Sequence, residues 1–372
     1  MARATIRGSD GYETVRLRAA DDSVVVVREY VPGARTRGVV VLIHGLLSSS
    51  DIFDVPGVPQ SSLARFLRDA GYSVFSYDQR GAGESTCARW NFGLGELALA
   101  ELPQVIEYAL SRTGASRVEL GGHSLGGLIA YVLRAALAAP GARVGTLTAS
   151  CLGKSISVAG PCWFDPALDP WARILAQGPG FFRRLEGTTP GVVTRAGFIR
   201  GQTMLEHPWL GRLMHPAIVE GMIDVASWTP RLASLLRRSP LPNLLYAADD
   251  FDDETFRCEL RSRALHRCSR QLLDEVLRCV RDGQVRVAHD GRAACLPDDL
   301  ASAAPFDLLT ITSRADRFVP AADVARAHGV VRGGASVYCE QEWGITSSHN
   351  GYFFKDGLYQ QVYRRIKAFL EA

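Results

Sequence analysis

The chain has 372 residues, 47% of them hydrophobic and 22% charged, which is the composition of an ordinary globular protein. Its net charge of +3 is too small to indicate a nucleic-acid partner or binding to a membrane surface. No stretch approaches the roughly 20 apolar residues of an integral membrane segment, and the N-terminal residues lack the apolar core of a secretory signal. The eight cysteines show no metal-ligand spacing, so we expect reduced thiols, no metal site and a cytoplasmic location.

Strand and helix patterns alternate along the first part of the chain and return near its C-terminus. Short β-prone runs alternate with amphipathic stretches, and one of these stretches is closed by Gly71. The strands are predicted over residues 14–18, 24–31, 38–44, 72–77, 117–120, 143–149, 306–312 and 336–339. The helices are predicted over residues 61–70, 94–112, 125–138 and 358–370. This alternation favours an α/β fold with a mostly parallel central sheet and helices on both faces.

The alternation stops in the middle of the chain. Residues 153–304 are rich in proline, tryptophan and methionine and show helical patterns without a strand rhythm. We therefore predict two core parts, residues 1–152 and 305–372, and an inserted helical cap over residues 153–304 that lies above the carboxyl edge of the sheet. Most aromatic and methionine side chains of the cap are expected to form its own core, and some are expected to face the cleft, which indicates an apolar pocket beneath the cap. The candidates are Trp163, Phe164, Trp171, Phe198, Met204, Trp209, Met214, Met222 and Trp228.

A glycine-rich heptad at residues 121–127, Gly-Gly-His-Ser-Leu-Gly-Gly, lies between a predicted strand and a predicted helix. Its Gly122-x-Ser124-x-Gly126 pattern is typical of a nucleophile elbow, where a sharp strand-to-helix turn exposes the serine hydroxyl. Small residues are needed on both sides of the serine because larger side chains would clash across the turn. The amide of Leu125, at the start of the helix, would face a developing oxyanion.

A serine nucleophile requires a base, and the base requires an orienting carboxylate. Both are expected after the serine along the chain. His349 is the last histidine and lies in a loop between a predicted strand and the final helix. Asp316 lies in the turn after the strand at residues 308–312, at the sheet edge where catalytic groups of open α/β folds collect. We therefore predict Ser124 as nucleophile, His349 as base and Asp316 as acid.

An acidic cluster rivals Asp316 on position alone. Its members are Asp249, Asp250, Asp252 and Asp253. We interpret the cluster as the solvated start of a helix, where acidic side chains interact favourably with the positive end of the helix dipole.

The second oxyanion donor is expected in the loop that follows the apolar strand at residues 38–44. His44, Gly45 and Leu46 occupy this position, and the Leu46 amide is the candidate donor. We interpret His44 as a structural loop histidine rather than as a general base.

Three motifs in this order carry a resemblance to a known superfamily. They are His44-Gly45, the run Asp78-Gln-Arg80-Gly81-Ala-Gly83-Glu-Ser85, and Gly122-His-Ser124-Leu-Gly126. Together they resemble the α/β-hydrolase superfamily, and the resemblance covers residues 38–150 and 305–372. It implies the same triad as the residue-based argument, with the Leu46 and Leu125 amides as oxyanion hole. It also implies that the Arg80 turn supports the site structurally.

The middle of the chain carries a second resemblance. Residues 243–283 are similar to a bacterial lipase-like group related to polyhydroxyalkanoate synthases. Those synthases use a cysteine nucleophile, and here position 124 is serine, which favours hydrolysis over polymerisation.

These observations predict a serine carboxylester hydrolase with an apolar acyl site and no cofactor. The expected partner is a small-molecule ester or thioester. A thioesterase or acyltransferase acting on a carrier-bound or coenzyme A acyl group uses the same elbow chemistry, so this alternative stays open. A non-catalytic binding protein with the hydrolase fold is a third alternative, because an intact set of site residues is a geometric hypothesis until activity is measured.

Overall fold

The computed structural model describes residues 5–7, 11–33, 36–165, 250, 268–331 and 333–372. Most strands belong to one nine-stranded sheet with the order β1-β2-β3-β5-β4-β6-β7-β10-β11, and β8 pairs with β9 as a separate hairpin. The strands are β1 (Thr5–Arg7), β2 (Glu13–Arg18), β3 (Val24–Tyr30), β4 (Val39–Ile43), β5 (Ser73–Asp78), β6 (Val118–His123), β7 (Leu152–Val158), β8 (Val285–His289), β9 (Arg292–Leu296), β10 (Leu308–Thr312) and β11 (Ala335–Tyr338).

Helices pack on both faces of the sheet. A π-helical turn at Leu97–Glu101 joins the short helix α2 to α3, so the stretch predicted as one helix is continuous but not uniform. The helices are α1 (Leu63–Asp69), α2 (Leu94–Glu96), α3 (Leu102–Thr113), α4 (Leu125–Ala136), α5 (Arg270–Asp282), α6 (Asp298–Ala301), α7 (Ala321–Ala325), α8 (Cys339–Trp343) and α9 (Tyr359–Glu371). No helix in the described part of the chain is long and apolar enough to cross a bilayer.

The sheet is mixed at one side and parallel over the rest. β1, β2 and β3 form an antiparallel meander, and β3 pairs antiparallel with β5. From β5 to β11 every pair of neighbouring strands is parallel. Parallel strands end at a common edge, so the segments that follow β4, β5, β6, β10 and β11 meet there. The prediction of an α/β fold with a mostly parallel sheet is confirmed.

The strand β4 shows how the core is divided. Its residues Val39 to Ile43 are all buried, and their side chains alternate between two apolar clusters. One cluster lies on the face that carries α3 and α4, and the other lies on the face that carries α1 and α9. This burial on both faces explains the uninterrupted apolar sequence of the strand.

One predicted strand is wrong. Residues 143–149 form turns with a single bridge between Val144 and Leu147, and the sheet strand is β7. Polar residues inside β7 concealed it from a hydrophobicity pattern. They are buried because their hydroxyls are bonded: Arg134 donates to Ser155 Oγ at 2.7 Å, and Ser157 donates to the Gly160 carbonyl at 3.1 Å. The core therefore extends through Val158, beyond the expected cap boundary at residue 153.

The end of the predicted cap is also corrected. The hairpin β8–β9 lies within residues 153–304, where a helical structure was expected, and packs against α2 and α4 of the core. Along both strands buried residues alternate with more exposed ones, and the turn between them is Asp290-Gly291, both of which have positive φ. An Asp-Gly turn between alternating strands is a hairpin signal. Residues 166–249 and 251–267, which hold most of the aromatic candidates, lie outside the described residues; Trp163 and Phe164 pack against the core.

Candidate active site

Ser124 lies between the end of β6 and the start of α4. Its backbone has φ 54° and ψ −121°, a conformation that non-glycine residues rarely adopt. A Cβ atom on Gly122 would overlap the backbone of Gly126 and Gly127, and one on Gly126 would overlap the Ile43 carbonyl oxygen. The glycines therefore allow the close backbone packing that holds the serine at this turn.

The loop after β4 lies directly against this serine. A Cβ atom on Gly45 would be 2.9 Å from the Ser124 Cβ, so the two backbones touch at this point. The loop then turns through Leu47, which has φ 61°. Leu125 is the first residue of α4, and an N–H at that position has no partner within the helix. The two residues predicted to supply oxyanion donors, Leu46 and Leu125, thus flank the serine from neighbouring strands.

His44 holds the loop after β4 with both ring nitrogens. The Gln79 backbone N–H donates to Nε2 at 3.0 Å, and Nδ1 donates to the Gly45 carbonyl at 2.8 Å. The Gln79 side chain returns a hydrogen bond to the His44 carbonyl at 2.7 Å. Because both nitrogens are occupied, His44 has no lone pair available for accepting a proton from a substrate or a serine.

Asp78, at the end of β5, organises the neighbouring turn. Its Oδ1 accepts from the Ser50 N–H at 2.8 Å and from the Ser50 hydroxyl at 2.7 Å, and its Oδ2 accepts from the Glu84 N–H at 2.8 Å. A Cβ atom on Gly83 would overlap this carboxylate. The Asp-x-Arg-Gly-x-Gly-x-Ser run is therefore a tight turn wrapped around one buried carboxylate.

Arg80 of the same run is buried and paired with carboxylates. Its Nε is 2.9 Å from Glu101 Oε2, and its Nη1 is 2.9 Å from Asp21 Oδ2. Burial raises the pKa of Glu101 to about 7, against the opposing influence of Arg80. The two ion pairs join the turn to the start of helix α3 and to the β2–β3 hairpin, which indicates a structural role for Arg80.

His349 and Asp316 form a buried pair. His349 Nδ1 is 2.9 Å from Asp316 Oδ2. The other carboxylate oxygen accepts from the backbone N–H groups of Phe318, at 2.8 Å, and Val319, at 3.0 Å. With Asp316 Oδ2 as its acceptor, Nδ1 is the ring nitrogen that carries the imidazole proton. The buried Nε2 of His349 then carries a lone pair, and it has no hydrogen-bond partner among the described residues.

His123 connects the elbow to the loop that carries His349. Its Nε2 donates to the His349 carbonyl at 3.0 Å, and the two imidazole rings are 4.9 Å apart. Burial lowers the pKa of His123 well below its usual value, and the nearby His349 lowers it further. His123 is therefore neutral. His123 has no predicted role in the sequence, although its place beside Ser124 in the heptad is a signal for one.

Comparison with known proteins agrees with this geometry. A family model described as alpha/beta hydrolase fold matches residues 38–189. The esterase from Exiguobacterium antarcticum superimposes with a TM-score of 0.54 at 15% identity, covering 96% of this chain and 99% of that one. A bromoperoxidase from Bacillus anthracis reaches 0.55 at 14% identity, covering 96% and 100%. The chain therefore has the α/β-hydrolase fold.

Sequence relatives of this chain include several lipases. Lipase 3 of Drosophila melanogaster is 32% identical over 140 residues, which are 33% of this chain and 35% of the relative. Human gastric triacylglycerol lipase is 35% identical over 108 residues, 26% of each chain. The chain thus spans about a third or less of the length of these curated relatives.

Asp250 corrects the interpretation of the acidic cluster. It is buried, with 1% of its surface exposed, so the expectation of a solvated helix start is wrong for this residue. The Ser348 hydroxyl donates to its Oδ2, and the Lys355 ammonium is 3.3 Å from its Oδ1. The partners of Asp250 explain how its charge is accommodated away from water. The other three members of the cluster lie outside the described residues.

Two of the remaining histidines have polar partners in the described structure. His289 lies 3.8 Å from Glu96 in the hairpin region, and His328 bonds to Thr310 at 3.0 Å. Three further histidines (His207, His215 and His266) lie outside the described residues. Within the part of the chain that the structure describes, no group of three or more His, Cys, Asp or Glu side chains is arranged to hold a metal ion.

Proposed function

We propose that this α/β hydrolase is a serine-dependent carboxylester hydrolase that acts on esters with an apolar acyl group. The observation that carries the proposal is the buried contact of 2.9 Å between His349 Nδ1 and Asp316 Oδ2, formed beside the strained turn at Ser124. A histidine oriented in this way presents an unprotonated Nε2, which is the atom that a serine nucleophile needs as its base.

In the proposed reaction, Ser124 Oγ attacks the ester carbonyl while His349 Nε2 takes the hydroxyl proton. The amides of Leu46 and Leu125 would donate to the oxyanion of the tetrahedral intermediate. The intermediate collapses as the imidazolium returns the proton to the leaving alcohol, which leaves an acyl group on the serine. Water then attacks this acyl-enzyme with the same base, which releases the acid and restores the serine.

The surroundings of His349 support this role electrostatically. Asp316 is held by two backbone donors and would stabilise the imidazolium that forms during attack. The neighbouring His123 ring, kept neutral by burial, adds no positive charge beside that imidazolium. The site therefore contains one carboxylate and one titrating imidazole at the point where positive charge develops.

Three observations favour an ester with an apolar acyl group. The relatives are lipases, and triacylglycerols are the substrates that the gastric enzymes' names state. The esterase from Exiguobacterium antarcticum shares the fold. The sequence between the core parts is rich in aromatic and methionine residues, which suit an apolar pocket. We accordingly keep the cap as part of the proposal, with its beginning moved beyond Val158.

The test is hydrolysis of matched p-nitrophenyl esters and acyl-coenzyme A thioesters of increasing chain length, with Ser124→Ala as the control. We expect ester cleavage with a maximum at one chain length, and a loss of turnover by several orders of magnitude in the variant. A preference for thioesters would favour the thioesterase alternative. Transfer of the acyl group to added alcohols would favour the acyltransferase alternative. Full activity in the Ser124→Ala protein would contradict the assigned nucleophile.

A fluorophosphonate probe distinguishes an active enzyme whose substrate is missing from the panel from a protein whose site is inactive. We expect covalent labelling of the wild-type protein at Ser124 and none in the variant, because the probe requires an activated serine but little substrate recognition. A folded wild-type protein that neither hydrolyses the panel nor reacts with the probe would overturn the enzyme proposal and leave a binding protein.

A further inference from the structure

The carboxylate of Asp250 lies against the loop that presents His349. Its Oδ2 accepts a hydrogen bond from Ser348, the residue directly before the proposed base. The side chain of Asp250 is fully buried, while that of Lys355, 3.3 Å away, is 15% exposed. Along the chain, Asp250 is 98 residues from Ser348, so the contact brings a distant segment to the base.

The backbone of this loop is shaped to receive the carboxylate. A Cβ atom on Gly351 would be 2.8 Å from Ser347 Oγ and 2.9 Å from the Asp250 carboxyl carbon. Both distances are shorter than side-chain carbons tolerate, so any larger residue at this position would displace the carboxylate. The carboxylate is thus enclosed by a hydroxyl, an ammonium group and a glycine, all within seven residues of His349 (348, 351 and 355).

We propose that Asp250 is a positioning residue for His349, acting through Ser348 and Lys355. The role of His349 as base rests on the proposed function; the effect of Asp250 on the His349 imidazole is a property of the fold and is testable without turnover. In this arrangement a residue from the predicted cap region helps to fix the base.

Several charged and titratable groups lie around His349, and the test must distinguish the effect of Asp250 from the effects of the others. Asp316 contacts Nδ1, His123 faces the ring from the elbow, and Tyr352 donates to Asp316 Oδ2 at 3.5 Å. Asp250 and Lys355 add one negative and one positive charge beside the loop. Because these two charges oppose each other, removing either one alone changes the net charge beside the base loop by one unit.

The experiment is an NMR titration of the His349 imidazole in ¹⁵N-histidine-labelled protein carrying Ser124→Ala, with the resonance assigned from His349→Gln. In Asp250→Asn the loss of one negative charge beside the base loop should move the midpoint of the His349 titration to lower pH. In Lys355→Met the loss of one positive charge should move the midpoint to higher pH. The double variant should return the pKa close to that of the parent.

A matched control comes from a second buried aspartate. Asp54 accepts a hydroxyl from Tyr30 at 3.0 Å and an Arg65 Nε–H at 2.8 Å, but it has no bond to the base loop. Asp54→Asn should therefore lose stability without moving the pKa of His349. Shifts of the same direction in Asp250→Asn and Lys355→Met, or no shift in either, would overturn the proposal and leave Asp250 as a structural anchor.

Activity provides the second measurement. In the protein with Ser124 intact, Asp250→Asn and Gly351→Ala should reduce kcat about tenfold to a hundredfold with little change in KM, because a misplaced base slows the chemical step. An unchanged kcat in Asp250→Asn would also contradict the positioning role. If the wild-type protein shows neither turnover nor fluorophosphonate labelling, the proposed function fails, while the NMR titration still decides whether Asp250 acts on His349.

Discussion

The elbow (residues 121–127) and the base loop (residues 344–354) meet at the carboxyl edge of the sheet, yet different forces hold them. The elbow is fixed by close backbone packing, since Gly122 and Gly126 leave no room for a Cβ atom. The base loop is fixed by polar side chains from elsewhere in the chain: the Ser347 N–H donates to Ser313 Oγ at 3.0 Å, and Ser348 donates to Asp250. One half of the site is therefore rigid by steric fit, and the other depends on a hydrogen-bond network.

This difference has a consequence for stability and activity. Steric packing near strands β4 and β6 belongs to the folding core, so damage to the elbow should unfold the protein. Hydrogen bonds at the base loop each contribute on the order of 1 kcal/mol to stability, so damage there should spare the fold and slow the chemistry. Variants that separate these two outcomes test the comparison directly.

The largest effect is expected from Gly126→Ala. Its Cβ atom would overlap the Ile43 carbonyl oxygen, and neither backbone can move without disturbing the central strands. We expect a loss of about 3 kcal/mol or more in the free energy of unfolding, measured by urea denaturation. Gly329→Ala is the matched control, because a Cβ atom there meets nothing within 4 Å. Equal stability of the two variants would show that the elbow is not packed as tightly as described.

The same contrast explains what the sequence could reveal. The elbow is a local pattern, and its spacing of glycines and serine predicted the strand, the turn and the helix. The end of strand β10 at Thr312 was predicted from its buried apolar run. The Asp250 contact could not be predicted in this way, because it joins residues 98 positions apart. No local pattern distinguishes a buried, paired aspartate from a solvated one.

Failures of the sequence prediction have related causes. Strand β7 contains Ser155 and Ser157 at buried positions, where their hydroxyls are bonded rather than solvated, so its hydropathy misled the assignment. The hairpin β8–β9 carried a readable turn at Asp290-Gly291, but it was absorbed into a predicted helical region. The first error arises because tertiary contacts bury polar groups of β7. The second arises because the Asp290-Gly291 turn lies within a region whose pattern was interpreted as helical.

A smaller effect, dependent on pH, is expected at the contact between the two regions. Burial holds the pKa of His123 well below 6.5 in the folded protein, whereas the unfolded chain binds a proton near pH 6.5. The stability contributed by the neutral ring is therefore present above pH 6.5 and is lost as pH falls below that value toward the folded pKa. The loss should approach about 1.4 kcal/mol per pH unit.

His123→Gln should remove this dependence, because glutamine does not titrate and its amide retains a donor for the His349 carbonyl. The measurement is the free energy of unfolding at pH 7.0, 6.0 and 5.0 for both proteins, compared as a difference. His328→Gln is the control, since burial lowers the pKa of that half-buried histidine less. A wild-type slope that survives unchanged in His123→Gln would assign the acid sensitivity to other groups.

The smallest effect sharpens the description of the elbow itself. Ser124 has φ 54°, where a side chain strains the backbone by about 1–3 kcal/mol. Ser124→Ala and Ser124→Gly both remove the hydroxyl, but only glycine relieves this strain. Since glycine also costs about 1 kcal/mol in unfolded-chain entropy, we expect the glycine variant to be more stable than the alanine variant by about 1 kcal/mol in urea denaturation. If alanine proves the more stable, the turn is held without strain, and the close packing of the glycines alone accounts for its rigidity.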